Sequence, residues 1–298
     1  MSKIKSISAE LTERLDWLVC LGDLFSSYEK NKNDQFHTII KKAEIHNPWF
    51  TKKNINTSIH YWESKLKLKN LNAWISKYEI IERPAVEVGI VMAGNFPLAG
   101  LHDLICVIIS GNIALIKTSR SDKILIDYLV DFLWKKFPIS KHYILKSEIL
   151  KEFDKVIATG SNNTFRYFEY YFKKKPAILR KSRTSVAILE NDTDKHSLRL
   201  LAKDIFTYFG LGCRNVSKLF MPIGFDLKKL IHSFYEFEEI KLHHKYSNNL
   251  NYYKTIKILN NEKFIDGKFF LMSESKRFTP PISEIYYEFY ENKKELIK

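Results

Sequence analysis

Residues 86–122 read VEVGIVMAGNFPLAGLHDLICVIISGNIALIKTSRSD, and this stretch decides the fold. A short apolar run, Val86 to Met92, gives way at Gly-Asn-Phe-Pro to a second run, Leu98 to Ile109, which has helical length. Ser110-Gly111-Asn112 closes that run, and Ile113 to Ile116 is again short enough for a strand. Strand, crossover helix and strand form a unit whose two strands lie parallel, because the crossover carries the chain back before the second strand begins.

The alternation continues outward. Further strands are expected at Lys155 to Ala158, Ala177 to Arg180 and Val186 to Leu189, with helices at Asp122 to Phe137 and Asn162 to Lys173. The fold class that follows is α/β, with a Rossmann-like parallel sheet. Upstream, residues 1 to about 80 read as helical, since Leu11, Leu15, Leu18, Leu21 and Phe25 recur at spacings of three and four. His46-Asn47-Pro48 breaks that region, and Trp49, Phe50, Tyr61, Trp62 and Trp74 suit packing more than ligand stacking. Downstream, Asp192-Thr193-Asp194 caps a helix expected to run through Leu198, Leu201, Ile205 and Phe209 to Gly210. Val216 to Met221 is a strand, Asp226 to Phe237 a helix, and the remainder is mixed.

Composition narrows the function classes. With 298 residues, 45% of them hydrophobic and 14% aromatic, the chain is too apolar for a disordered tail and folds around a core. No stretch approaches the roughly 18 apolar residues a bilayer requires, so no membrane span is expected. The N-terminal MSKIKSISAELTERLDWL lacks an apolar segment followed by a small-residue cleavage site, which points to a cytoplasmic location. Cys20, Cys106 and Cys213 are odd in number and far apart, which argues against a disulfide framework and fits a reducing compartment. A net charge of +14 raises the question of a polyanionic partner, but the lysines are scattered and read chiefly as a solvated surface. No nucleic-acid module is present, so no nucleic-acid partner is expected. The nine histidines show no metal-ligand spacing, and no metal is expected.

Four segments could carry chemistry. Cys20 in LVCLGDLF and Cys106 in LICVIIS lie on helical apolar faces, where cysteine behaves as a small hydrophobe. Cys213, in GLGCRNVSKLF, stands in a turn between helix and strand, flanked by Gly210 and Gly212 and followed by Arg214. Small residues admit a substrate, and a neighbouring cation or backbone N–H favours thiolate, so Cys213 is a nucleophile or a plain loop cysteine. AGNFPLAGLHD, residues 93–103, follows the first strand at the end that faces the ligand crevice of an open α/β sheet. Asn95 there either donates to an oxyanion or bonds its own backbone while Pro97 starts the helix. In IALIKTSRSD, Lys117 ends a strand and Ser119 or Ser121 is placed to cap the next helix, which suits ribose or phosphate contacts. In VIATGSNN, Thr159, Gly160 and Ser161 open a helix whose N-terminus favours an anion. No G-x-G-x-x-G occurs, so a standard dinucleotide fingerprint is not claimed. His102 and Asp103, beside the crevice, orient a loop or simply pack a helix.

The order of these segments, Asn-Phe-Pro-Leu, Lys-Thr-Ser, Thr-Gly-Ser and then a loop cysteine, resembles the aldehyde dehydrogenase superfamily. It most closely resembles the acyl-CoA reductase branch, the fatty-acid reductase family of bacterial luminescence systems. GNFPLAGLHD, ATGSNNT, RKSRTSVAIL and GLGCRNVS are similar to motifs of that branch, over roughly residues 45 to 290. The resemblance implies that Cys213 forms a thioester with the substrate's acyl group, that Asn95 holds the oxyanion, that Lys117 contacts the cofactor's adenosine ribose, and that Gly160 and Ser161 lie beside its phosphates. Ser119 and Thr159 join them as cofactor-binding candidates. It implies NADPH or NADH as cofactor, bound without the dinucleotide fingerprint, and an acyl-CoA or acyl-carrier thioester as substrate, reduced to an aldehyde. Three regions are then expected: a helical cap over 1–84, an NAD(P)-binding domain over 85–190 and a catalytic cysteine domain over 191–298. The sequence ends earlier than the family would suggest, so the last region is expected to be incomplete at its C-terminal side. A homo-oligomer is compatible with all of this.

One departure from the superfamily matters. Hydrolytic members carry Glu-Leu-Gly-Gly-Lys with a water-activating glutamate, whereas residues 179–185 here are LRKSRTS, with no carboxylate. Hydrolysis of an acyl-enzyme is therefore expected to be poor unless a carboxylate such as Glu169 or Glu190 is recruited. Arg180, Lys181 and Arg183 are expected to help hold a phosphorylated cofactor or the CoA nucleotide. The rival reading is a nonenzymatic binder of acyl groups or nucleotides.

Overall fold

The computed structural model describes residues 9–28, 35–81 and 83–296; the parts of the expected helical region at 1–8 and 29–34 lie outside the described residues. The chain forms two compact units, Met1–Ser182 and Arg183–Lys298.

The first unit opens with α1 (Leu11–Tyr28), α2 (Gln35–His46), α3 (Lys52–Lys65) and α4 (Leu68–Ile75). Pro48 falls between α2 and α3, and the Thr51 hydroxyl caps α3 by accepting from the Asn54 amide at 3.3 Å. Five parallel strands follow: β1 (Glu87–Val91), β2 (Ile113–Lys117), β3 (Ile144–Lys146), β4 (Lys155–Thr159) and β5 (Ala177–Arg180), in the order β3-β2-β1-β4-β5. They alternate with α5 (Leu101–Ile109), α6 (Lys123–Lys136) and α7 (Asn162–Phe172). The sheet builds outward from β1 to β3, then the chain crosses back to place β4 on the other flank of β1. That reversal opens a crevice at the carboxyl ends of β1 and β4. Trp17 and Leu18 of α1 share one apolar core with Ile105 and Ile108 of α5 and with Leu129 and Val130 of α6. The N-terminal helices therefore belong to the same unit as the sheet.

The strand expected at Val186 to Leu189 forms as β6 (Ser185–Ile188), but it pairs with β7 (Val216–Pro222) in the second unit. Its Ala187 and the following Leu189 pack into that unit's core. The second unit continues with α8 (Lys195–Phe206), α9 (Leu227–Phe234), α10 (His244–Leu259), β8 (Ile265–Asp266), β9 (Leu271–Glu274) and β10 (Glu284–Tyr290). Its sheet runs β6-β7-β10-β9-β8, parallel except for β8. The core is aromatic: Phe206 meets Phe234, Phe237, Phe269 and Phe270 with centroid separations of 5.3 to 5.7 Å. Among the described residues, no helix is long and apolar enough to cross a membrane.

Candidate active site

In the first unit the parallel sheet brings the sequence-predicted cofactor residues to one edge, because each lies at or just beyond the carboxyl end of its strand. Lys117 ends β2 and is exposed, and Thr159 ends β4. The buried Thr159 Oγ1 has no hydrogen-bond partner. Ser161 caps α7, its Oγ accepting from the Thr164 amide at 3.3 Å. A Cβ at Gly160 would lie 2.8 Å from the Phe168 ring, so only glycine lets the β4–α7 turn close over that ring.

The turn carrying Asn95 is joined to the Lys117 turn. A Cβ at Gly94 would lie 2.3 Å from the Ser119 hydroxyl, so Ser119 packs directly on the Gly94 backbone. Asn95 itself is exposed. Pro97 does not start the helix as expected. Leu98 adopts φ 60°, and α5 begins only at Leu101. A left-handed leucine is strained, and two side chains hold it there. The buried Asp122 carboxylate accepts from the Leu98 amide at 2.8 Å, and the buried Ser58 hydroxyl donates to the Pro97 carbonyl at 2.8 Å. Burial pushes the Asp122 carboxyl well above its usual value.

Just past this turn, Asp103 is buried and receives Arg180 Nη1 on both carboxylate oxygens, at 2.6 and 2.8 Å. Arg180 is thus paired with Asp103 through Nη1. His102 Nδ1 lies 3.7 Å from the same carboxylate and 3.7 Å from the Cys106 sulfur. The Asp103 carboxylate, and then Cys106, raise the His102 pKa from 6.5 to about 9. Cys20 and Cys106 are half-buried, and burial pushes the Cys20 thiol up.

The second unit presents Cys213 on an exposed loop. The helix expected to run to Gly210 stops at Phe206, because Tyr208, Phe209 and Gly210 all turn left-handed, with φ of 55°, 59° and 74°. For the two aromatic residues this conformation costs about 1–3 kcal/mol each. Burial of the Phe209 ring against His243 and Tyr246, at centroid distances of 4.4 and 5.8 Å, offsets part of that cost. The chain then passes Gly212, Cys213 and the exposed Arg214 before β7 begins at Val216.

Asn215 fastens this loop. Its Oδ1 accepts from the Gly212 amide at 2.7 Å, while its Nδ2 donates to the carbonyls of Asp204 at 2.7 Å and Thr207 at 3.0 Å. The cysteine is thus exposed on a backbone held from both sides. Asn215, Asp122 and Ser58 escape sequence reasoning. An asparagine two residues after a loop cysteine is the nearest thing to a signal, since its amide has both donors and an acceptor to spend on turn backbone.

Comparison with curated proteins finds no match. Among solved structures, the chain is similar to an indole-3-acetaldehyde dehydrogenase of P. syringae in complex with NAD+ and IAA, with TM-score 0.69 and 12% identity over 97% of this chain and 69% of that one. It is similar also to a Mycobacterium tuberculosis aldehyde dehydrogenase complexed with NAD+, with TM-score 0.67 and 14% identity over 97% and 70%. A Bacillus cereus aldehyde dehydrogenase in NAD+ complex gives TM-score 0.65 and 12% identity over 97% and 69%. At such identities the likeness establishes the fold, which is that of aldehyde dehydrogenases. The acyl-CoA reductase (LuxC) family model matches residues 37–227, a span that includes both the Asn95 turn and the Cys213 loop, and on that match the chain belongs to the acyl-CoA reductase (LuxC) family.

Proposed function

We propose that this protein reduces an acyl thioester, carried by CoA or by a carrier protein, to an aldehyde, with Cys213 as the nucleophile. The observation that carries the reading is the exposed Cys213 on a loop fastened by Asn215, within the span matched by the family. The Cys213 thiolate attacks the thioester carbonyl carbon, and the CoA or carrier thiolate departs, leaving the acyl group on sulfur. Asn95 is assigned as a donor to the oxyanion that forms at the carbonyl oxygen. When bound, a nicotinamide nucleotide supplies the hydride that reduces the thioacyl carbon. The thiohemiacetal alkoxide so formed re-forms its carbonyl as the carbon–sulfur bond breaks, with no net proton taken up, so that the aldehyde leaves and Cys213 returns as thiolate.

The first unit fits such a nucleotide. The crevice between β1 and β4 is the place an open parallel sheet offers, α7 turns its N-terminus toward it, and the buried Thr159 hydroxyl there lacks a partner. Lys117, Ser119, Thr159, Gly160 and Ser161 are assigned to hold NADPH or NADH. The carboxylate-free segment 179–185 supports reduction over hydrolysis, since no base there activates water. Glu190 is engaged with Lys293.

The test is intact mass after incubation with acyl-CoA, followed by NAD(P)H absorbance with acyl-CoAs of graded length. The wild type is expected to gain one acyl mass and to oxidise NAD(P)H, and Cys213→Ala to do neither. An adduct that persists in Cys213→Ala, or no adduct at all, overturns the assignment.

A further inference from the structure

The second unit contains a cleft of about 710 Å³ between α8 and α9, lined by Lys195, Arg199, Lys228, Lys229, His232 and Glu236 together with Ile231, Ser233 and Tyr235. Four Lys and Arg side chains face one carboxylate. That carboxylate is already used, since Glu236 accepts from Arg199 Nε at 2.6 Å. Lys229 donates to the Thr193 carbonyl at 2.7 Å, whereas no carboxylate pairs with Lys195 or Lys228 among the described residues. The nearby Asp194 and Asp226 spend their carboxylates on the backbone amides of their own helices, Ser197 for the first and Lys228 and Lys229 for the second. Asp194 and Asp226 keep their charge while capping their helices, but Lys195 and Lys228 have no direct carboxylate partner among the described residues, and a bound polyanion would supply one. Ile231 and the half-buried Tyr235 add apolar surface to the lining, with the His232 ring edge-on to Tyr235 at 5.6 Å.

The cleft is distinct from the Cys213 loop. Lys195 and Arg199 lie in the first half of α8 and the cysteine follows its far end, so the seven residues after Arg199, up to Phe206, separate the two. At a rise of roughly 1.5 Å per residue that stretch is about 10 Å. Likewise Cys213 precedes β7 while α9 follows it, which puts the two features at opposite ends of that strand.

We propose that this cleft is a second ligand site, for a small molecule that joins two or more phosphates to a flat ring. Lys195, Arg199, Lys228 and Lys229 hold the phosphates, and Tyr235 with Ile231 supports the ring. An adenine nucleotide and the nucleotide end of coenzyme A share this chemistry, and a volume of this size matches a small-molecule pocket better than a flat docking surface. The site is independent of the reaction assigned to Cys213.

The test is titration calorimetry of the full chain with ATP, with CoA and with pyrophosphate, each in the presence of NADPH so that the β1–β4 crevice does not contribute. Saturable binding of ATP or CoA is expected, weakening as salt rises, with pyrophosphate weaker because it lacks the ring. ATP without CoA identifies a free nucleotide as the ligand; CoA without ATP identifies the coenzyme where the glutamine variant below loses it, because CoA binding at the Cys213 site would survive that variant. The double variant Lys195→Gln, Lys228→Gln is expected to lose affinity by about tenfold or more. Lys195→Arg, Lys228→Arg should retain binding, which separates lost charge from lost fold, and Cys213→Ser should bind as the wild type does. No binding, binding equal in the glutamine variant, or retention of the chain by anionic vesicles or acidic polypeptides with no affinity for the small phosphates overturns the proposal.

Discussion

Asn215 contributes more to the cysteine loop than its neighbours in sequence, because one planar amide closes the turn at Gly212 and ties it to the end of α8. Removing it leaves the Gly212 amide and two carbonyls to find other partners, at a cost of about 1–3 kcal/mol. Asn215→Ala is therefore expected to lower Tm by a few degrees and to slow acylation of Cys213 by about tenfold or more, while iodoacetamide still labels the thiol. Unchanged acylation in that variant would show that the loop keeps its shape without the amide. The placement of Cys213 in an open loop is legible in the sequence because glycines flank it, and the placement of Lys117, Gly160 and Ser161 at strand ends is legible because short apolar runs stop there. The contacts of Asn215 and Asp122 are not. The partners of Asn215, at 204–207 and 212, come together only once Tyr208 and Phe209 turn left-handed, and nothing local in Thr-Tyr-Phe-Gly signals that. The partner of Asp122 is a backbone amide 24 residues away.

At the scale of elements, α5 is tied at its first turn to the end of β5 by the Asp103–Arg180 pair, with His102 adding a second cation at 3.7 Å. Burial pushes the Asp103 carboxyl up, but His102 and Arg180 outweigh it and leave it below the ordinary 3.8. Its stabilisation is complete above 3.8 and is lost as pH falls through the lowered value. The His102 pKa is raised from 6.5 to about 9, so its share is complete below 6.5 and is lost as pH rises through about 9. Both shares are whole only between 3.8 and 6.5. The Tm gap between wild type and Asp103→Asn is expected to be widest in that window. It should close on the acid side and narrow on the alkaline side by the part due to His102. A gap that stays constant from acid to alkaline pH would show that the cluster adds nothing to stability. Periodicity located most of the elements but not their partners. β6 is expected within the region over 85–190 but without a strand partner, because which sheet a four-residue strand joins depends on long-range burial, here of Ala187 and Leu189. β3 has three residues, too few for alternation to show.

At the scale of the whole molecule, each unit carries its own apolar core, and an accident of composition makes the two separately observable. All five tryptophans, Trp17, Trp49, Trp62, Trp74 and Trp134, belong to the first unit, so tryptophan fluorescence reports that unit alone, whereas far-UV circular dichroism reports helices and strands in both. In urea the two signals are expected to follow different transitions. Leu219 of β7 is fully buried in the second core, and Leu219→Ala should cost about 2–5 kcal/mol there. The variant is expected to move the dichroism transition to lower urea while the fluorescence midpoint stays where it is in the wild type. If both midpoints fall together, the two cores unfold as one cooperative structure, and the division near residue 182 is a matter of packing geometry without a thermodynamic counterpart.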